Sequence, residues 1–198
     1  SGTLFEMLEN NPTILDRINQ GGVVGYIILT LGTLGLLFAL YKIVILNIAS
    51  LKIKSQIKTL NNPKQNNSLG KIADIFYKNL NDSINDLEIK IGEAILKETN
   101  KIKKGQSFVK LLAAVTPLLG LLGTVTGMIA TFQAITLFGT GDPKLMAGGI
   151  STALITTVLG LITAIPLLFA YTYISSKAEE LVSILEEQSI GLLAKTLK

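Results

Sequence analysis

Three stretches of the chain carry no Asp, Glu, Lys or Arg: residues 18–41, 111–141 and 145–176, of 24, 31 and 32 residues. About 20 apolar residues cross a bilayer as a helix. Each stretch is therefore expected to be a transmembrane helix, at 21–41, 111–138 and 145–176. A soluble protein with three buried core helices is the competing reading, but core helices rarely run so far without a charge. The remaining elements follow from periodicity. Asn11-Pro12 opens a short helix, with Asn11 as cap and Pro12 at the first position. Leu4, Phe5, Leu8, Ile14, Leu15 and Ile18 give residues 1–20 an apolar side, expected to lie on the membrane surface. Helical pattern continues past the first span to Leu60. "NNPKQNNS" (61–68) is polar and aperiodic and reads as a loop.

Beyond the loop, Leu69, Ile72, Phe76, Leu80, Ile84, Leu87, Ile91 and Ile95 recur every three or four residues. They predict one face of a long amphipathic helix, which Gly92 and Gly105 weaken but need not end. "GTGDP" (139–143) is a tight turn, with Asp142 as cap and Pro143 opening the third span. Leu181, Ile184, Leu185, Gln188 and Leu192 carry a helical face through a tail helix at 177–198. The fold class is thus all-α: three transmembrane helices extended into a helical bundle. A 31-residue span is about 46 Å long as a helix, against a hydrocarbon core of ~30 Å, so the second and third helices are expected to protrude from the membrane.

Charge sets the expected topology. Segment 42–110 holds 13 lysines against 6 acids, whereas 1–22 holds Arg17 against Glu6, Glu9 and Asp16. By the positive-inside tendency 42–110 is cytoplasmic, the N-terminus and the turn 139–144 are outside, and the tail is cytoplasmic. The first residues lack a basic region leading into an apolar one, so no signal peptide is expected. Cysteine and histidine are both absent. That removes thiol chemistry and the commonest general base and metal ligand. No nucleophile–base pair or metal cluster is visible, so an enzyme, a cofactor and a nucleic-acid partner are not expected.

The second span, "TPLLGLLGTVTGMIATF" (116–132), is short of large apolar side chains for its place. Thr116, Gly120, Gly123, Gly127 and Thr131 fall at steps of four, three, four and four, a narrow stripe suited to close helix packing. The third span adds "GGISTALITTVLGLITAIP" (148–166), with Ser151, Thr152, Thr156, Thr157 and Thr163. Two adjacent spans rich in hydroxyls can line a polar passage. Equally, each hydroxyl can bond the carbonyl four residues back and be merely tolerated. A membrane proton relay normally uses Asp, Glu or His, and the spans have none. If the chain helps move protons, the proton-carrying carboxylate belongs to a partner.

"TPLLGLLGTVTGM" followed by "GGISTALITTVLGLITAIPLLFAY" resembles the MotA/TolQ/ExbB proton-channel family, on its ExbB and TolQ branch. The motifs span 116–173, and the three-span layout fits that branch better than the four-span MotA type. The resemblance implies a homo-oligomeric ring, commonly a pentamer, in the bacterial inner membrane. The ring encloses an ExbD-like single-span partner bearing a membrane Asp, and ion flow drives motion passed to a TonB-like protein that energises outer-membrane transport. A TolQ-like role in envelope integrity is the alternative, and a passive helical scaffold without ion flux is a third reading. By resemblance, Thr124 and Thr157 line the ion pathway, with Thr152 and Thr156 next. Pro117, Gly120, Gly123, Gly127, Gly160 and Pro166 match the family's prolines and glycines and serve packing and pore shape. One position departs: the family usually has Glu where this chain has Thr152. The transported ion is expected to be a proton, with sodium the alternative.

Overall fold

A computed structural model of the chain describes residues 13–139 and 143–197. The helices are α1 (Ile14–Gln20), α2 (Gly22–Ile57), α3 (Ser68–Lys78), α4 (Ile84–Lys103), α5 (Gln106–Phe138) and α6 (Pro143–Ala194), followed by a 3-10 turn at Lys195–Leu197. No strand occurs among the described residues. The fold is all-α, and α2, α5 and α6 each contain a stretch long and apolar enough to cross a membrane.

Local chemistry explains the ends. The hydroxyl of Thr13 accepts from the Asp16 backbone N–H, and the Asp16 carboxylate accepts from Thr13 N at 2.9 Å, a reciprocal capping box. Those bonds hold the Asp16 carboxyl below the usual carboxylate range. The first helix therefore starts at Ile14 under a Thr13 cap. The expected start at Asn11-Pro12 lies outside the described residues, as do Leu4, Phe5 and Leu8. Pro143 opens α6 as expected, where its missing N–H is an orphan anyway; its expected cap Asp142 lies outside the described residues. The third span and the tail form one helix of 52 residues rather than two. Pro117 and Pro166 sit inside α5 and α6, each removing one backbone donor from a helix that continues through it.

The long amphipathic helix expected from residue 69 onwards is broken in two places. α3 ends at Lys78 with Asn79 as its cap, and α4 restarts after Ser83, whose hydroxyl accepts from Asp86 N at 3.2 Å. Leu80 and Ile84 fall at the break and are 47% and 52% exposed, so they leave the apolar face that the spacing assigned them. Gly92 stays within α4, but Gly105 ends the helical run: its φ is +87°, a left-handed conformation that disfavours a side chain. The ring of Phe38 lies where a Cβ on Gly105 would point, 2.9 Å away.

The chain forms two units, residues 1–37 with 108–169, and residues 38–107 with 170–198. In the second, Leu69, Ile72, Ala73 and Phe76 of α3 and Leu87 and Ile91 of α4 are buried, and the two helices pack together. Leu46, Ile53, Ile174, Leu181 and Leu185 complete this core. Lys54 pairs with Glu180 at 2.9 Å, and Tyr173 donates to Asn47 at 2.9 Å. The 58–67 loop is held by Gln56, which is 1% exposed. Its Nε2 donates to the carbonyls of Thr59 (2.8 Å) and Asn62 (3.2 Å), while its Oε1 accepts from Lys64 N (3.0 Å) and Asn67 Nδ2 (3.1 Å). One buried amide thus supplies the partners that the loop backbone needs.

In the first unit the span portions of α2, α5 and α6 approach through small residues. Thr163 packs on Gly32, and Leu112 and Leu167 fill the space beside Gly35. Leu118, Leu121, Val125, Ile129, Leu154, Leu161 and Leu168 all point outward. A single chain thus leaves most of each span's apolar surface to lipid or to other subunits.

Candidate functional site: a hydroxyl cluster on the second and third spans

The stripe of small residues on α5 faces α6 along its whole length. A Cβ on Gly120 would stand 2.9 Å from the Thr156 carbonyl oxygen and 3.2 Å from Thr157 Cα. A Cβ on Gly160 would meet the Thr116 carbonyl at 2.8 Å, and one on Gly127 would meet Ala153 Cβ at 2.9 Å. Gly123 lies against the Thr156 side chain, and Thr131 packs on Gly149. At Gly120 and Gly160 the approach is backbone on backbone, which only glycine permits; at Gly123, Gly127 and Gly149 a neighbouring side chain fills the space a Cβ would take. Gly120, Gly123, Gly127 and Gly160 therefore set the spacing of the two spans. Thr116 and Thr131, the ends of the stripe, are buried and donate to the carbonyls of Leu112 (3.0 Å) and Gly127 (2.9 Å) four residues back.

This close approach brings oxygens from both helices together. The hydroxyls of Thr124 and Thr157 bond each other across the interface. Thr124 also lies 3.1 Å from the Ala153 carbonyl and 3.3 Å from that of Gly120. Thr157 reaches the Gly120 carbonyl at 3.3 Å. Thr156 donates to Ala153 O at 2.7 Å and lies 3.3 Å from Gly120 O. Three hydroxyls and two carbonyls thus form one cluster. Thr156 is 1% exposed and closes its inner side, whereas Thr124 and Thr157 are half-buried.

Each hydroxyl has one proton and two lone pairs. With Thr156 committed to Ala153, two arrangements satisfy the remaining pair. Thr157 donates to Thr124 while Thr124 donates to Ala153, or Thr124 donates to Thr157 while Thr157 donates to Gly120. The carbonyls accept in either case, so the pair can reverse its donor direction without leaving an unpaired donor. A reversible chain of hydroxyls can pass on a proton or turn its lone pairs to a cation, but it cannot store a charge.

Thr152 does not join this cluster. Its hydroxyl bonds the carbonyl of Gly148, four residues back, at 3.0 Å. It lines a separate cleft of about 210 Å3 with Gly22, Gly123, Thr126, Gly127 and Thr156. The position where the resemblance led one to expect a carboxylate is thus a hydroxyl already bonded to its own helix, beside a small cleft. The residues that sequence reasoning missed are Gly120 and Ala153 as acceptors. Main-chain carbonyls have no residue-type signature, although the small size of both residues is what admits the neighbouring helix.

Residues 67–187, which include both spans of the cluster, match the family model described as the MotA/TolQ/ExbB proton channel family. The chain belongs to the MotA/TolQ/ExbB proton channel family. It is similar to the putative biopolymer transport protein ExbB homolog of Methanothermobacter thermautotrophicus, with 32% identity over 189 residues, covering 88% of this chain and 67% of that protein. It is 35% identical over 83 residues to the biopolymer transport protein ExbB of Xanthomonas campestris pv. campestris, covering 42% of this chain and 33% of the relative. To the Tol-Pal system protein TolQ of Pseudomonas aeruginosa it is 34% identical over 89 residues, covering 45% and 38%. As a family member with three apolar helices, the chain is a membrane protein.

Proposed function

We propose that the chain is a non-enzymatic, ring-forming subunit of an ion-driven motor in a bacterial inner membrane. In this reading it encloses a single-span, ExbD-like partner whose membrane Asp carries the ion, and the motion is passed to a TonB-like protein that energises outer-membrane transport. The observation that carries the reading is the half-open cluster of Thr124, Thr156 and Thr157 on the charge-free spans of two helices. It can relay or solvate an ion but has no group of its own to hold a proton. A partner's carboxylate completes that chemistry. The outward apolar faces of the spans supply surface for a ring and for lipid.

A ring gives each subunit two different neighbours through one repeated, closing contact. Native mass spectrometry of the chain co-expressed with a single-span protein bearing a membrane Asp tests this. A closed ring, expected to be a pentamer, holding fewer partner chains is the predicted result. A monomer that ignores the partner overturns it. Proton is the proposed ion and sodium the alternative, since hydroxyl and carbonyl oxygens also suit a hard cation. The names of the relatives support a TolQ-like role in envelope integrity as a second reading of the same motor. The passive-scaffold reading has one observation in its favour: every hydroxyl of the cluster reaches a backbone carbonyl, as packing alone requires.

A further inference from the structure

Independently of the hydroxyl cluster, the second unit contains a pocket of about 400 Å3 lined by four lysines, Lys42, Lys52, Lys71 and Lys101, and one acid, Glu98. Glu98 is buried and already engaged, with Lys101 at 2.5 Å and Lys71 at 3.9 Å. It leaves nothing for Lys42, which is only 8% exposed. Among the described residues Lys42 Nζ donates to the Ile102 carbonyl at 3.5 Å, the outer limit of a hydrogen bond. Lys52 makes no ion pair among the described residues. A lysine this enclosed, with one long bond to its ammonium, lacks the anion that would offset its desolvation. The N-terminus of α3 lines the same pocket through Asn67 and Ser68 and adds a positive dipole end. Leu46, Ile53 and Ile102 add apolar lining.

The place is informative. Lys42 is the first charged residue after the charge-free run 18–41, so the pocket's lining on α2, from Lys42 to Ile53, begins where the first span meets its charged continuation. Apolar lining together with four lysines and one acid matches a phosphate ester with a hydrocarbon part, and the volume falls within the range of small-molecule sites. We propose that this pocket binds a phosphate-bearing anion, supplied either by the headgroup of an anionic phospholipid or by a soluble phosphate ester.

The test is lipid binding to the purified full chain in detergent, followed by native mass spectrometry. The probes are phosphatidylglycerol, phosphatidylcholine and, separately, glycerol 1-phosphate. The expected result is about tenfold tighter binding of phosphatidylglycerol than of phosphatidylcholine, with the preference lost in Lys42→Gln and reduced severalfold in Lys52→Gln. Lys52 is exposed, so its variant keeps the test valid if burial makes Lys42→Gln unstable. Lys58→Gln removes the same charge outside the pocket and is expected to leave the preference intact. Displacement of the lipid by millimolar glycerol 1-phosphate assigns the site to soluble esters, and resistance to it assigns the site to the headgroup. Equal binding of the two lipids together with no binding of glycerol 1-phosphate overturns the proposal. So does a loss in Lys58→Gln as large as in Lys52→Gln.

Discussion

At the scale of single residues, three hydroxyls form the polar cluster, and they differ in exposure and in partners. Replacing Thr157 by Val keeps shape and removes the proton. The folded chain should tolerate this, because Thr124 and Thr156 can both still donate to the Ala153 carbonyl. The loss in stability should be about 1 kcal/mol, that of one ordinary hydrogen bond, read as a small fall in thermal midpoint in detergent. Ion flux through the assembled complex should fall about tenfold, the effect of roughly 1.4 kcal/mol at the barrier. Thr157→Ser should restore most of the flux. Unchanged flux in Thr157→Val at normal assembly would place the cluster with packing alone. Gly120→Ala should behave oppositely. Its Cβ would stand 2.9 Å from a main-chain oxygen that cannot swing away, so the hairpin itself should weaken by about 1–3 kcal/mol. The hydroxyls were legible in the sequence as a clustering of threonines on two spans. Which of them meet was not, because contact between Thr124 and Thr157 depends on how closely the Gly120 and Gly160 backbones approach.

At the scale of elements, the charge-free runs and the proline at 143 located the apolar helices and the start of α6, since neither signal depends on tertiary packing. The break at 79–83 is hidden from apolar spacing for a physical reason. Leu80 and Ile84 keep the three-and-four spacing across it, yet Asn79, Asn81, Asp82 and Ser83 offer caps that compete with the helix. Apolar spacing alone does not distinguish one helix from two that resume in phase. The glycines give a contrasting pair of predictions here. Gly92 lies inside α4 with nothing within 4 Å of a Cβ, so Gly92→Ala should stabilise by about 0.5–1 kcal/mol. Gly105→Ala, at positive φ and against Phe38, should destabilise by about 1–2 kcal/mol. Thermal unfolding of both variants in the same detergent checks the two signs. Gln56→Leu should expose the 58–67 loop to limited proteolysis, because the Asn62 carbonyl and Lys64 N lose their bonds to the amide, and Thr59 O and Asn67 Nδ2 each lose one of several.

At the scale of the whole molecule, one chain has two needs it does not meet itself. Its spans display rows of apolar side chains, and its polar cluster has no acid. Both needs are met by the assembly proposed here, in which copies of the chain cover each other's apolar faces and a partner brings the carboxylate. The decisive measurement is proton flux into liposomes that hold the chain with its acid-bearing single-span partner, under an imposed pH gradient. The proposed assembly requires flux from the complex, and none from the chain alone or from the complex with the partner's membrane Asp replaced by Asn. Equal flux from the chain alone, or from the Asn variant, would contradict it.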